Sequence, residues 1–198
     1  MKEIDFWFSI GSTYTYLSVT RLAEVSQKTG ASFSWKPFSV RKIMREMDNI
    51  PFPPTKQAKV DYMWRDIERR AHSYGFKANV PAPYPLKELD LANRVAVLAM
   101  QEGWCEDYVR ETYRLWFVDG HEAGSDVNLT QTLSEIGQDK LRVLERACSS
   151  DVEATYLNQT ENAKQAGIFG SPSFIVDGEL FWGDDRLEDA INWASKDG

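Results

Sequence analysis

The chain has 198 residues, of which 42% are hydrophobic, and a formal net charge of −7. This length suits one domain, or one domain with a large insertion, whose core needs no metal or disulfide. The negative charge excludes nucleic acid as the main partner, because binding phosphates requires a basic face. No apolar run reaches the roughly 20 residues that cross a membrane, and Met1–Asp5 do not resemble a signal peptide. We expect a cytoplasmic protein without a membrane partner.

The first 40 residues have the pattern of a β-α-β unit. Residues 4–10 are rich in aromatic and β-branched side chains and predict a buried strand. From Tyr14 to about residue 28 apolar side chains recur at helical spacing, and Gly30 stands where a helix C-cap is expected. A second strand over about residues 32–38 completes the unit, which predicts a parallel pair.

The middle of the chain changes to a helical pattern without sheet-like alternation. Proline-rich breaks at 51–54 and 81–85 interrupt it, because proline blocks helix continuation. Candidate cap residues for one of its helices lie at Asp126–Asn128. The periodicity predicts helices over about 55–75, 87–102, 104–118, 129–136 and 139–166.

Strand signals return near the C-terminus. Two apolar runs flank Asp177-Gly178, a strong hairpin signal, and a last helix is expected over about 185–195. The order β-α-β, helical block, β-β-α predicts an α/β protein with a thioredoxin-like fold interrupted by a large all-helical insertion. We assign residues 1–40 plus 167–198 to the thioredoxin-like domain and 41–166 to the helical insertion domain.

The cysteines and histidines give no sign of redox or metal chemistry. Cys105 and Cys148 are far apart in sequence, and in a reducing compartment we expect two free thiols rather than a disulfide. The two histidines lack the clustered spacing of zinc ligands. No metal site is therefore predicted.

In the thioredoxin plan the functional group lies at the start of the first helix. Unpaired backbone N–H groups and the helix dipole stabilise an anion there. Redox members carry Cys-x-x-Cys at this position, whereas this chain has Ser12-Thr13-Tyr14-Thr15. Disulfide exchange requires an attacking thiolate, so this site cannot perform it. Ser12 is either a functional group or only a helix N-cap, a role that serine favours.

A second marker, Gly167–Phe174, directly precedes the hairpin. In thioredoxin folds a proline at this point is cis and faces the helix start. The residue before it offers backbone N–H and C=O groups to an extended peptide. We expect Ser171–Pro172 to be such a cis bond, with an ordinary turn proline at an edge strand as the alternative.

These motifs resemble the opening and the close of 2-hydroxychromene-2-carboxylate isomerases and kappa-class glutathione transferases. The resemblance covers essentially the whole chain in the right order. One departure is Thr13, where the family usually has proline; the change costs some rigidity but removes no functional group. The stretches that carry the resemblance are Asp5–Phe8, Ser12–Leu17, Asn49–Pro51, Ala58–Arg69, Gly167–Pro172 and Phe181–Leu187.

The resemblance implies a homodimeric enzyme that binds reduced glutathione. Ser12 would donate a hydrogen bond to the glutathione sulfur, which favours the thiolate and lowers its pKa. The ammonium of the γ-glutamyl end needs an anionic partner, which Asp184 and Asp185 would supply; both can also cap the last helix. The remaining implied contacts are Asn49 from the insertion and Ser171 with Pro172 along the cysteinyl backbone.

The implied substrate is an aromatic ring-opened pyruvate, trans-o-hydroxybenzylidenepyruvate, in equilibrium with its cyclic chromene form. A thiolate that adds to the conjugated C=C bond makes that bond single, so it rotates before elimination returns the thiol. Candidate cations for the substrate carboxylate are Arg41, Lys42 and Lys59, with solvated surface charge as the alternative for each. Candidate aromatic linings are Trp7, Phe52, Tyr84 and Trp182, with core packing as the alternative for Trp7.

Two other functions stay open from the sequence. A kappa-like glutathione transferase would use the same thiolate and release the addition or displacement product. A non-catalytic thioredoxin-fold binding module would hold a peptide or partner chain in the same groove. The residues Phe181–Arg186 favour the isomerase by resemblance.

Overall fold

The computed structural model of the chain describes residues 1–49 and 54–196. Short 3-10 helices at Pro54–Lys56 and Asp184–Arg186 precede the third and ninth α-helices. Within the described residues no helix is both long and apolar enough to cross a bilayer. The strands are β1 (Ile4–Phe8), β2 (Phe33–Pro37), β3 (Ser173–Val176) and β4 (Glu179–Trp182). The helices are α1 (Thr15–Thr29), α2 (Val40–Glu46), α3 (Gln57–Ser73), α4 (Leu89–Glu102), α5 (Cys105–Phe117), α6 (Asp126–Glu135), α7 (Lys140–Ala147), α8 (Ser150–Gln165) and α9 (Leu187–Ala194).

The strands form one mixed sheet in the order β2-β1-β3-β4. Strand β1 pairs parallel with β2, with Phe6 opposite Trp35, and antiparallel with β3, with Phe6 opposite Phe174. The β3–β4 turn at Asp177-Gly178 has positive φ at both residues, 50° and 81°, as a type I′ hairpin requires. The predicted thioredoxin-like fold is confirmed, with α2–α8 inserted between β2 and β3.

Strand β1 is the centre of two hydrophobic cores, because alternate side chains point to opposite faces of the sheet. Phe6 lies in the main core, where its ring stacks on Phe8 at 5.3 Å and on Phe174 at 5.4 Å between centroids. Trp7 lies on the other face in a smaller core with Phe38. The main core also includes buried side chains of α3–α8, so the insertion packs as a continuation of the sheet's core. The domain boundaries near residues 41 and 167 stay a prediction.

Three details of the helical region differ from the sequence prediction. The single helix expected over 139–166 is two helices, because Ser149 adopts an extended N-cap conformation (φ −70°, ψ 154°) and begins a new one. Helix α2 was not predicted, since seven residues are too few to show periodicity; Ser39 caps it by accepting from the N–H of Lys42. Helix α6 begins earlier than expected, because its N-cap is Ser125.

Both cysteines are free, with Cys105 buried and Cys148 exposed. Burial raises the pKa of the Cys105 thiol, so this side chain is an unreactive core group. In the part of the chain that the structure describes, no three His, Cys, Asp or Glu side chains cluster closely enough to hold a metal ion.

A buried amide fixes the loop between β1 and α1. Asn93 of α4 is fully buried; its side chain accepts from the N–H of Ile10 and donates to the carbonyl of Ile10, both at 2.8 Å. The hydroxyl of Tyr113, from α5, donates to the carbonyls of Ser9 at 3.2 Å and Ser12 at 3.0 Å. The insertion therefore satisfies the backbone groups of the loop that precedes the first helix.

Asn93→Ala is expected to lower the free energy of unfolding by about 2–4 kcal/mol, because both backbone groups of Ile10 lose their buried partner. Urea denaturation followed by circular dichroism measures this change. Gln101→Ala, at an exposed position of the same helix, is the control and should change stability by less than about 0.5 kcal/mol. Equal effects of the two substitutions would contradict the role given to Asn93.

Candidate active site at the start of the first helix

Ser12 is placed by the loop between β1 and α1 and is half-buried. Helix α1 begins at Thr15, and its N-cap is Tyr14, whose side chain makes no capping hydrogen bond. The hydroxyl of Ser12 instead donates to the carbonyl of Ser171 at 2.6 Å. The interpretation of Ser12 as only a helix cap is therefore wrong.

The loop opposite Ser12 contains the predicted cis bond, Ser171–Pro172. The hydroxyl oxygen of Ser171 accepts from the N–H of Ser9 at 2.9 Å and lies 2.9 Å from Oγ1 of Thr15. The carbonyl of Pro172 accepts from the backbone N–H that follows β4 at 3.0 Å. The cis-proline loop thus contacts the end of β1, the start of α1 and the end of β4.

Hydroxyl groups occupy the two positions that carry thiols in Cys-x-x-Cys proteins. Thr15, at the second position, is completely buried, whereas Ser12, at the first, is partly accessible. A serine hydroxyl has one proton to donate, and that of Ser12 is given to the carbonyl of Ser171. If the N–H of a ligand amide donates to this carbonyl instead, the hydroxyl of Ser12 is released and can donate to an anion at the helix start. The arrangement suits binding of a thiolate rather than attack by one.

One face of α3 packs along the start of α1. Oγ1 of Thr13 lies 3.0 Å from Sδ of Met63, and the hydroxyl of Tyr14 donates to Asp66 at 3.0 Å. Burial, and then the negative charge of Asp66, raise the pKa of Tyr14 well above its usual range. Thr13, at the family's proline position, is thus a buried contact to the helical insertion.

The carboxylate of Asp184 is completely buried and joins three parts of the chain. It accepts from the hydroxyls of Ser18 at 3.0 Å and Tyr74 at 3.1 Å, and from Nη2 of Arg70 at 2.7 Å. Nη1 of Arg21 lies 3.5 Å away. Burial raises the pKa of Asp184, against the lowering effect of Arg70 and Arg21. Since its oxygens are enclosed by protein groups, this geometry does not support the predicted contact of Asp184 with the ammonium of glutathione.

Asp185, next in the chain, is the accessible carboxylate of the predicted pair. Its side chain is 51% exposed, and Oδ2 lies 3.0 Å from Nη2 of Arg186. Gly183 has φ 111°, and a Cβ there would meet Oδ1 of Asp185 at 2.5 Å, so glycine is required at this turn. Asp185 remains the predicted partner of the ammonium.

The other residues predicted to contact the ligand or the substrate differ in how exposed they are. Asn49 is exposed and directly precedes the residues outside the described part, which include Phe52. Arg41 is half-buried on α2. Its charge acts on Tyr84, whose pKa is raised by burial and lowered in part by Arg41. Lys59 is exposed on α3. Arg41 thus lies within electrostatic reach of Tyr84, and the shared role of the two in substrate binding stays a prediction.

The aromatic candidates divide between core and surface. Trp7 is buried in the smaller core, which confirms core packing for this residue. Trp182 is 53% exposed, and its ring meets that of Phe169 at 4.8 Å between centroids. A Cβ on Gly170 would collide with the Trp182 indole, so this ring packs directly on the cis-proline loop. Lys42 is exposed and paired with a glutamate one turn along α2.

Sequence reasoning missed three residues of this region: Thr15, Ser18 and Arg70. Ser12, Thr15 and Ser18 follow one another at three-residue spacing, a signal that could have placed them on one face of the helix. Arg70 gave no local signal, because its partner Asp184 lies on a distant part of the chain.

The sheet order, the cis-proline loop and the facing helix start define a thioredoxin-fold protein with hydroxyls in place of the redox thiols. The chain belongs to the family of DsbA-like thioredoxin domains, whose model matches residues 3–191.

Known relatives narrow the comparison within this family. The 2-hydroxychromene-2-carboxylate isomerase of Sphingobium xenophagum is 27% identical over 190 residues, which are 94% of this chain and 95% of that protein. The enzyme of the same name from Pseudomonas putida is 23% identical over 185 residues, covering 93% and 90%. A solved 2-hydroxychromene-2-carboxylate isomerase has a TM-score of 0.84 at 23% identity, over 96% of this chain and 94% of that one. The resemblance and the fold class predicted from sequence are confirmed.

Replacing Asp184 or Asp185 by alanine is expected to change the free energy of unfolding by very different amounts. Asp184→Ala should destabilise the protein by about 3–5 kcal/mol, because the enclosed Arg21 and the partly accessible Arg70 lose their common partner. Asp185→Ala, at an exposed position, should change stability by less than about 0.5 kcal/mol. Guanidinium denaturation of the ligand-free proteins measures both, and similar effects would show that burial does not separate the two roles.

Proposed function

We propose that this protein is a glutathione-dependent isomerase of the 2-hydroxychromene-2-carboxylate type. The observation that carries the proposal is the 2.6 Å hydrogen bond from Ser12 to the carbonyl of Ser171, the residue before the cis Pro172. Ser12 stands at the position where redox relatives have a thiol. The activity named for the two relatives supports the reaction class.

The residues present fit glutathione as the thiol-bearing ligand. The backbone of Ser171, before the cis proline, suits an extended cysteinyl unit, whose sulfur would then lie near Ser12. The exposed carboxylate of Asp185 suits the ammonium of the γ-glutamyl end. Asn49 is an exposed amide that can contact the ligand from the insertion.

When bound, glutathione supplies a thiolate that adds reversibly to the conjugated C=C bond of trans-o-hydroxybenzylidenepyruvate and so permits its rotation. The carbonyl of Ser171 accepts the amide N–H of the bound ligand. The hydroxyl of Ser12 would then donate to the sulfur and stabilise its charged form. Arg41, which lies within electrostatic reach of Tyr84, and Lys59 bind the carboxylate of the substrate and orient its aromatic ring. The protein works as a homodimer in the cytoplasm.

Ser12→Ala is expected to reduce isomerase turnover with glutathione about 10- to 100-fold, because a hydrogen bond to a charged group contributes about 1.5–3 kcal/mol. Conversion of the chromene to the trans-pyruvate, followed by absorbance, measures it. Ser32→Ala, at an exposed position before β2, is the control. Unchanged turnover in Ser12→Ala would contradict the role of Ser12, and accumulation of a glutathione conjugate would indicate a transferase instead.

The same hydrogen bond should lower the pKa of the bound glutathione thiol. Ser12→Ala is expected to raise that pKa by about one to two pH units, which corresponds to the loss of about 1.5–3 kcal/mol. Activity then rises with pH through the thiol pKa, and the rise shifts to higher pH in the variant. Titration of thiolate absorbance in the glutathione complexes measures both values, and equal values would contradict the proposed bond.

A further inference from the structure

Arg70 lies at the edge of the buried Asp184 cluster and contacts described residues through only one of its guanidinium nitrogens. Both of its hydrogen bonds to described residues are made by Nη2, to Asp184 at 2.7 Å and to Tyr74 at 3.2 Å. Its side chain is 21% exposed. Neither Nε nor Nη1 is a buried atom without a partner in the described part of the chain, which agrees with the partial exposure of this side chain.

The two neighbouring arginines are engaged differently. Arg21 is only 10% exposed, pairs with Glu188 through Nη2, and has Nη1 buried without a hydrogen-bond partner among the described residues. Arg186 uses Nη1 for Asp189 and Nη2 for Asp185. Arg70 is therefore the better placed to receive a further carboxylate.

The Asp184 cluster, to which Arg70 belongs, lies about one turn of α1 from the residue that contacts Ser171. Ser18, which donates to Asp184, follows Thr15, which contacts Ser171, by three residues or about 4.5 Å along α1. The γ-glutamyl arm of glutathione spans a similar distance, about 5 Å from the cysteinyl nitrogen to the glutamyl α-carbon. The hydrogen bond between the carbonyl of Pro172 and the backbone after β4 holds the Asp184 turn beside the cis-proline loop.

The γ-glutamyl end of glutathione is a zwitterion, so it needs a cation as well as an anion. Asp185 supplies the anion. Burial lowers the pKa of Arg70, but the bond to Tyr74 and the charges of Asp184 and Asp185 raise it overall, so Arg70 and Asp185 lie within electrostatic reach. An arginine fork binds a carboxylate through two parallel N–H···O bonds.

We propose that Arg70 binds the α-carboxylate of the γ-glutamyl group of glutathione, while Asp185 binds the adjacent ammonium. This assignment rests on the proposed function and adds a residue from the helical insertion to the thiol site. It makes α3 a determinant of thiol specificity: a thiol without the γ-glutamyl carboxylate would bind more weakly.

The test is calorimetric binding of two ligands, glutathione and 4-aminobutanoyl-cysteinyl-glycine, which lacks only the α-carboxylate. The wild-type protein should bind the second about 10- to 100-fold more weakly, as expected for a lost charge-assisted bond. Arg70→Gln should bind glutathione that much more weakly, yet bind the analogue within about twofold of wild type. Arg65→Gln, on the exposed face of the same helix, is the control and should leave both affinities unchanged.

The outcomes separate the two proposals. No binding of glutathione by the wild-type protein at millimolar concentration would overturn the proposed function, and this inference with it. If the wild-type protein binds glutathione, the proposed function stands. The role of Arg70 would then be overturned by any of three results. These are equal affinity of the wild type for both ligands, equal weakening of both affinities by Arg70→Gln, and a selective loss of glutathione affinity that is seen only in Arg186→Gln.

Two further variants keep the test valid if Arg70→Gln does not fold. Arg70→Lys keeps the positive charge beside Asp184 but loses the planar guanidinium, so the affinities for glutathione and for the analogue should differ less than in the wild type. Arg70→Gln combined with Asp184→Asn removes both charges of this ion pair together and should show the same selective loss of glutathione affinity. A preference for glutathione as large as that of the wild type in both variants would overturn the assignment.

Discussion

The antiparallel pairing of β1 with β3 is the constraint on which the site depends. It places Asp5 opposite Ile175, so the two ends of the chain lie side by side at the centre of the sheet. The end of β1 therefore meets the cis-proline loop, and Ser12 can donate to the carbonyl of Ser171 across the junction. The chain between β2 and β3 leaves this sheet, forms the helical segment and returns. The helical segment is attached to the sheet in two ways: it shares the main core, and its Asn93 and Tyr113 hydrogen-bond to the loop before α1.

Burial gives neighbouring residues different roles at this junction. Asp184 is enclosed and ties α1 and α3 to the turn before α9, whereas Asp185 keeps half of its side chain in solvent. The same division holds for the cations, with Arg21 enclosed and Arg70 partly accessible. A buried ion cluster of this kind keeps its geometry because breaking one partner leaves the others uncompensated. The turn that carries Asp185 is thereby held rigidly beside the cis-proline loop.

The replacement of thiols by hydroxyls changes what a thioredoxin-like site can do. The loop geometry around Ser171 and Pro172 is retained, and so is the opening helix. A serine hydroxyl can stabilise a sulfur anion but cannot supply one, so in the proposed function the thiolate comes with the ligand. The proposed isomerase follows from this combination, since a bound thiol is both nucleophile and leaving group. In the proposed function, recognition of the thiol's other groups by Asp185 and Arg70 would be part of the same task.

The sequence by itself determined the strands, most helices, the hairpin at Asp177-Gly178 and the thioredoxin-like order, because these depend on local periodicity and turn chemistry. It also marked Ser12 and the cis Pro172, since both stand in contiguous motifs. It merged α7 with α8 and missed α2. The start of α8 depends on the extended backbone of Ser149 and the start of α2 on the cap of Ser39, and neither is a repeating pattern. Only the tertiary structure decided that Ser12 faces Ser171, that Asp184 is enclosed, and that Arg70 joins it. Those relations are between residues more than a hundred positions apart, and burial and charge pairing across such separations are not written in any local stretch of sequence.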